Sequence, residues 1–327
     1  MNILVTGGAG YIGSHVVIEL IELGHEVTVL DNLSSGHPWA VQQGHLIKGD
    51  IRDPEAIRNA IHHARAEAVI HLAALSDLRA SLKDPIAFHQ TNTVGTFNIA
   101  NACMRQGINK LIYSSSAAVY GIPISVPVKE EARIMPVTPY GTSKAMGEQI
   151  LTEVSNVSDM TVISLRYFNV AGADPKGRIG EAVPNSWHLV KVACEAALGL
   201  RGEVSIYGTD YETRDGTCIR DYVHVADVAS AHVAALNWSK DLGKFRDFNV
   251  GYGHGFSVRE IISRVKACSG VDFNVTETSR RTGDPPTLIA AVDRIKDELS
   301  WKSRFDSLDE IVSSALDWER KYLGCRR

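Results

Sequence analysis

The stretch Met1 to Gly13, reading MNILVTGGAGYIG, constrains this chain more than any other. Ile3 to Val5 is an apolar run of strand character that ends abruptly in glycines. The glycines lead straight into Tyr11 to Leu23, where Ile12, Val16, Leu20 and Leu23 recur at helical spacing. A glycine-rich turn between strand and helix directs backbone N–H groups and the positive end of the helix dipole at one point, where a pyrophosphate can sit. Two registers fit: Gly8, Gly10 and Gly13 give GxGxxG, whereas Gly7, Gly10 and Gly13 give GxxGxxG. With a strand before and a helix after, the pattern predicts dinucleotide binding, with Tyr11 and Ile12 at the same turn.

A chain of 327 residues can bury a large core as one large domain or two linked ones. The net charge of −4, with no lysine/arginine block, argues against nucleic acid as a partner. The five cysteines, Cys103, Cys194, Cys218, Cys268 and Cys325, are scattered and form no CxxC pair. That suits reduced thiols in a cytoplasmic protein better than a disulfide framework or a metal site. Met1 runs directly into the first strand, so no signal peptide is expected. No apolar stretch approaches the roughly 20 residues of a membrane helix.

Further along, Gly24 marks a helix stop and Glu26 to Leu30 reads as a second strand ending in Asp31 and Asn32. An acidic residue about 20 positions past the glycines can accept hydrogen bonds from ribose hydroxyls and repels a 2′-phosphate, so Asp31 points to NAD over NADP. Leu46 to Lys48 is a short third strand closed by Gly49, Asp50 and Ile51, a place to flank the adenine. Ala68 to Leu72 is an apolar strand whose small followers, Ala73 and Ala74, allow close backbone approach to a cofactor; His71 within it reads as a packed core histidine. A helix after Pro85 contains Asn92 and stops at Gly107, and Lys110 to Tyr113 then empties into Ser114, Ser115 and Ser116.

Thr138 and Pro139 open the next helix, and Met160 to Arg166 is another buried strand, followed by Phe168. The alternation predicts an α/β fold: a doubly wound parallel Rossmann sheet, with ligands beyond the strand C-termini. After Asn169 the texture turns to Gly, Pro, Asp and Lys, which marks a boundary. Residues 1–169 are expected to form the NAD-binding domain and 170–327 a smaller mixed α/β one. A return to the first is expected near 217–252, through Phe248 to Val250. Helices are expected near Trp187 to Ala197, His224 to Trp238, Ser257 to Ala267 and Leu308 to Tyr322.

Tyr140 and Lys144 fall one helical turn apart in YGTSK, hence on one face. A phenol with a reference pKa of roughly 10 is a poor base at neutral pH, and a nearby ammonium or an oxidised nicotinamide favours the phenolate. The pair is thus a way to build a general base for an alcohol proton beside a cofactor. Its place after the serine-ended strand, in a dinucleotide-binding domain, selects that reading.

GGAGYIG, SSS before AVYG, and YGTSK together resemble the extended short-chain dehydrogenase/reductase family. RYFNVAGADPKGRIGE and YGTDYETRDGTCIRDYVHVADVA look like its UDP-galactose (UDP-glucose) 4-epimerase branch. The resemblance implies that Tyr140 takes the proton from the sugar 4-hydroxyl, Lys144 bonds the nicotinamide ribose, and Ser116 binds the 4-oxygen and relays its proton. The hydride would pass to tightly held NAD, giving a 4-keto sugar that turns over and is reduced on its other face. Asn169, Asn185, Tyr207, Arg220, Arg281 and Asp284 would hold the UDP-sugar, and a guanidinium fork suits a diphosphate. The acid/base pair of the related dehydratases is missing at Ser116-Ala117-Ala118, which argues against dehydration.

Three positions depart from the branch's common pattern. Ser76 replaces a lysine near the nicotinamide, Ser186 follows Asn185 where a second asparagine is frequent, and Leu288 stands where a tyrosine or a smaller residue gates the sugar 2-position. The expectation is C4 epimerisation of a UDP-hexose. The alternatives are an N-acetylhexosamine, uronate or pentose substrate, a net NAD-dependent oxidoreductase, or a non-catalytic binding protein. The resemblance also implies a homodimer through the helices Phe88 to Met104 and Tyr140 to Val154.

Overall fold

The computed structural model describes residues 1–184, 186–238, 243–281 and 283–326. Six strands alternate with helices over the first half: β1 (Asn2–Thr6), β2 (Glu26–Asp31), β3 (His45–Lys48), β4 (Ala68–His71), β5 (Lys110–Ser116) and β6 (Thr161–Tyr167). The later strand Phe245–Val250 joins them, so the spatial order is Phe245–Val250, β6, β5, β4, β1, β2, β3, with every neighbour parallel. Strand order reverses at β1, between β4 and β2, which opens the crevice where ligands of such sheets bind. Phe248 to Val250 thus lie on the returning strand, and the Val225–Asn237 helix before it packs on the Tyr11–Glu22 helix.

Parallel strands covered on both faces need apolar residues on both sides, and Ile3, Leu4 and Val5 are all fully buried. One face packs under helices Pro54–Ala64, Gly95–Gln106 and Pro139–Asn156. The apolar cluster on the other face continues without a break into the second half, from Val5 and Ile163 through Val228 to Val204, Ile261 and Leu316. The second half adds three small sheets: Asn169–Ala171 with Tyr222–His224, Glu203–Tyr207 with Asn274–Thr278, and Ile219–Arg220 between Phe256–Ser257 and Thr287–Leu288. Helices Leu189–Ala197, Val258–Ser269 and Leu308–Arg326 pack together beside them.

Element ends differ from the sequence expectation by a residue or two, as where His224 caps the Val225–Asn237 helix instead of lying inside it. The expected helix after Pro85 is less uniform than its sequence: His89–Val94 widens into a π turn between two α segments and carries the buried Asn92. Thr138 caps the Pro139–Asn156 helix by accepting from the Gly141 N–H at 3.1 Å. That helix is fixed to the sheet by charge. Arg166 on β6 donates to both oxygens of Glu148 at 2.9 and 2.7 Å and pairs with Asp247 of the returning strand at 2.8 Å.

His71 is a core histidine, bonded through its ring nitrogens to Thr6 Oγ1 at 2.7 Å and Thr96 Oγ1 at 3.1 Å; burial pulls its pKa to about 3. Cys103, Cys194, Cys218 and Cys268 are free thiols, and the Cys325 side chain lies outside the described residues. Among the described residues no helix is long and apolar enough to cross a membrane, and no cluster of ligating side chains could hold a metal ion.

Candidate active site

The C-terminal ends of β1, β2, β4 and β5 form one wall of a cleft of about 1050 Å³, and the second half of the chain forms the other. Its floor is the glycine turn, and the geometry selects between the two glycine registers. Gly7 has φ +74°, and a side chain there would come within 2.5 Å of the Ala73 nitrogen. A Cβ on Gly13 would sit 2.1 Å from the Gly7 carbonyl oxygen. Gly7, Gly10 and Gly13 line the cleft, so the GxxGxxG register is the one in use; Gly8 packs against Val29 instead.

At the end of β2 the Asp31 carboxylate accepts from the Ala9 N–H at 3.0 Å and the Leu33 N–H at 2.8 Å. These bonds fix it at the cleft edge with lone pairs left for ribose hydroxyls. The small backbone-lined turn, the helix N-terminus beyond it and this anchored carboxylate together fit a dinucleotide. Tyr11, Ile12, Asn32, Ile51, Leu72, Ala73, Ala74, Ser114 and Phe168 line the same cleft, as the sequence suggested.

Two expected cofactor residues, Asn92 and Asp50, are not among the residues that line it. Asn92 gives its amide to Leu75 and Ser143, accepting from the Leu75 N–H at 2.8 Å, so it shapes the loop after β4 instead of facing the cleft. Asp50 is held by Arg52 at 2.9 and 2.7 Å and by the Asn32 amide at 2.9 Å. The Arg52 guanidinium keeps that carboxyl well below its ordinary range.

Ser116, Tyr140 and Lys144 meet on the cleft where β5 ends. Tyr140 is buried and hydrogen-bonded to Ser116, and its ring lies edge-on to Phe88. Lys144 is buried too, and its ammonium donates to the Ser114 carbonyl at 2.7 Å over the Tyr113 ring. One expectation is corrected here. Lys144 does not lower the Tyr140 phenol in the protein alone: burial pushes that pKa up, and only the Ser116 hydrogen bond opposes the shift. The physical reason is that the ammonium is turned to the Ser114 carbonyl, and burial itself draws Lys144 down to about 7. A phenol, a hydroxyl and an amine so placed can move a proton to and from an alcohol.

Towards the other end, Asn169, Tyr207, Arg220, Arg281 and Asp284 line the cleft, while Asn185 lies outside the described residues. Asp284 pairs with Arg220, whose other guanidinium nitrogen donates to the Ile219 carbonyl at 2.8 Å, so this arginine is held in one orientation. Arg281 lies over the Tyr207 ring at 3.6 Å. Leu288 pairs directly with Arg220 in the parallel ladder of Thr287–Leu288 and Ile219–Arg220. Ser76, Ser186 and Leu288, the departures from the expected pattern, all line the cleft.

The model of the NAD dependent epimerase/dehydratase family matches residues 3–251. The chain belongs to that family. It is 47% identical over 320 residues to the UDP-glucose 4-epimerase of Azospirillum brasilense, covering 98% of this chain and 92% of that one. Among solved structures it is similar to a UDP-glucose 4-epimerase from Bifidobacterium longum in complex with NAD+ and UDP. That likeness has a TM-score of 0.94 and 35% identity, and covers 98% of each chain. The UDP-Glc/GlcNAc 4-epimerase of Campylobacter jejuni is 42% identical with a TM-score of 0.85, over 98% of this chain and 99% of that one.

Sequence reasoning missed Arg79, Glu181, Trp187 and His188, which also line the cleft. Arg79 lies 5.8 Å from the centroid of the Trp187 ring, bringing the Leu78–Lys83 helix of the first half against the second. Glu181 ends the RYFNVAGADPKGRIGE motif, which could have flagged it, whereas its meeting with the other three is a product of the tertiary fold.

The buried lysine has a testable sign. Below about pH 7 the folded, cofactor-free chain must carry the Lys144 charge in the interior, and this cost fades as pH rises towards the lysine's ordinary value of 10.5. Lys144→Met is expected to be at least as stable as wild type near neutrality, with any advantage shrinking as pH rises through that window. Its turnover is expected to fall by about 10²-fold or more. Thermal unfolding of the cofactor-free proteins across that pH range, beside kcat, checks both; a K144M advantage that grows with pH contradicts the assignment.

Proposed function

We propose that this protein is an isomerase that interconverts UDP-glucose and UDP-galactose by oxidising and re-reducing C4 of the sugar. One observation carries the reading: Tyr140, hydrogen-bonded to Ser116 beside Lys144, faces a cleft that runs from a dinucleotide cradle to Arg220 and Arg281. NAD bound at Gly7, Gly10, Gly13 and Asp31 supplies a hydride acceptor that also returns the hydride. Tyr140 receives the 4-hydroxyl proton, with Ser116 on the same oxygen as relay. Lys144 would hold the nicotinamide ribose, and its charge near the phenol would offset the burial that raises Tyr140. Arg220, fixed by Asp284, and Arg281 hold the diphosphate while the 4-keto sugar turns over. Ala117 and Ala118 beside Ser116 leave no acid/base pair there for loss of water.

The reading divides the labour between residues 1–169, joined by the returning 217–252 segment, for the cofactor and 170–327 for the nucleotide sugar. The free thiols fit a cytoplasmic protein. Phe97, Met104 and Met146 are exposed apolar side chains on the two helices, Phe88 to Met104 and Tyr140 to Val154, that the family resemblance assigns to a homodimer. Sedimentation equilibrium is expected to give a dimer, and a Phe97→Asp variant is expected to shift it towards monomer. Leu288, without the hydroxyl or the length of tyrosine, leaves room for an N-acetyl group, in line with the dual name of the Campylobacter jejuni neighbour. Turnover of both UDP-galactose and UDP-N-acetylgalactosamine is expected from purified protein; no detectable turnover of the N-acetyl sugar rejects that extension.

The central test is Tyr140→Phe. NAD is expected to copurify with the variant and survive dialysis, while kcat drops by about 10²- to 10⁴-fold. Epimerisation at the wild-type rate by Y140F refutes the catalytic assignment. Accumulation of NADH when wild type meets UDP-sugar and excess NAD favours a net oxidoreductase instead.

A further inference from the structure

A group of stacked rings stands outside the cofactor end of the cleft, and the reaction as described leaves it unused. The loop after β2 begins at Asp31 and lies directly on the glycine turn. A Cβ on Gly36 would sit 2.8 Å from the Ala9 carbonyl carbon, and the His37 N–H donates to the Ala9 carbonyl oxygen at 2.9 Å. Ser34 and Ser35 of this loop line the cleft together with Gly7 and Gly10. The loop is therefore a side wall of the dinucleotide cradle.

The far end of that wall is held by the second half of the chain. His37 Nε2 donates to the Ala182 carbonyl at 3.2 Å, and the His37 ring stacks on Trp39 with centroids 5.2 Å apart. Trp39 belongs to the one-turn helix Pro38–Val41 and does not itself line the cleft. Its ring lies 6.0 Å from Trp318 and 5.9 Å from Tyr322, and those two stack on each other at 5.4 Å. Both belong to the Leu308–Arg326 helix. Trp318 is fixed in turn: it is buried, and its Nε1 donates to the Glu181 carbonyl at 3.2 Å. Residue 180 has to be glycine here, because a Cβ would come within 2.4 Å of the Trp318 ring. Residues 180–182 are thus pressed between the loop after β2 and the Leu308–Arg326 helix.

We propose that Trp39, packed against Trp318 and Tyr322, is a positioning residue that latches the loop after β2 over bound NAD and so sets how long NAD stays. The inference rests on the reading above that NAD returns its hydride to the same sugar and need not leave between turnovers. Because Ser34 and Ser35 border the space a dinucleotide takes up, the loop has to swing aside to widen it. Asp31 fixes the root of the loop through Ala9 and Leu33, so the swing requires His37 and Trp39 to part from the second half. Aromatic pairs hold together by more than the area they bury, and here several contacts have to break in one motion. A net oxidoreductase, which has to exchange its cofactor at every turnover, would be slowed by such a latch. An isomerase loses nothing by it.

The experiment follows NAD release from the purified holoenzyme, with added alcohol dehydrogenase and ethanol converting freed NAD to NADH. Trp39→Ala is expected to release NAD about tenfold faster than wild type, and to lose it on dialysis. With NAD added in excess, its kcat and its KM for UDP-galactose are expected to stay within about twofold of wild type. Trp39→Phe keeps a ring in the stack and is expected to retain NAD. Trp39 is 44% exposed, so its replacement leaves the core intact. Tyr322→Ala removes a ring that does not line the cleft, and is expected to speed release as well, through the stack alone. Val265→Ala truncates a fully buried side chain on the Val258–Ser269 helix and serves as the control: thermal stability falls while NAD is held. Release as fast from V265A as from W39A means general loosening and overturns the proposal. NAD held by W39A and Y322A as firmly as by wild type overturns it too, as does a W39A defect that excess NAD leaves in kcat. Wild type that itself sheds NAD as fast as W39A overturns instead the reading of a resident cofactor, so the two failures are distinguishable.

Discussion

The contact from which the cleft is measured is the approach of Gly13 to the Gly7 carbonyl, where a single methyl group would sit 2.1 Å from oxygen. That approach lets the Tyr11–Glu22 helix start directly above β1, and so aims its N-terminus into the crevice. The neighbours depend on the same turn. Ala9 accepts the His37 N–H at 2.9 Å and donates to Asp31, which brings the loop after β2 to the cleft edge. Tyr11 donates its hydroxyl to the Gly172 carbonyl at 2.6 Å, so the second half of the chain is attached to the first residue of that helix. Glycine here is required by space as well as by backbone conformation.

The opposite wall is set by a different kind of interaction. Tyr140 and Lys144 sit on a helix whose middle is held by the buried Glu148–Arg166–Asp247 network, in which Arg166 also donates to the Tyr120 hydroxyl at 3.0 Å. Taking one charge from such a network leaves its partners buried and unpaired, which is costly. Because Asp247 belongs to the returning strand, the network ties the catalytic helix to a segment far away in sequence. The apolar cluster beneath runs unbroken into the second half, so the two walls share one core.

What could be read from the sequence was what local chemistry dictates. A strand that stops at glycines, a Thr-Pro helix start and a Tyr-x-x-x-Lys pair are each properties of a few adjacent residues. The doubly wound sheet followed from their alternation. The sequence was silent where the answer depends on what a side chain meets across the fold. Asn92 has the composition of a ligand-binding residue, yet its amide is consumed by Leu75 and Ser143. Lys144 is one turn from Tyr140, but the Ser114 carbonyl competes for its ammonium. His188 and Glu181 meet only because the loop between them folds back at the cleft, and no spacing rule anticipates it.

The ladder that joins Leu288 to Arg220 has a geometric consequence of its own. Adjacent parallel strands hold directly paired residues at a nearly constant separation of about 5 Å, whatever their side chains. The group expected to grip the diphosphate and the group expected to meet the sugar are thus two marks on one rigid scale. A change at Leu288 alters the width of the space beside the sugar without moving the anchor from which that space is gauged. Such an arrangement lets substrate range drift by single substitutions while the distance between phosphate and reacting carbon stays the same.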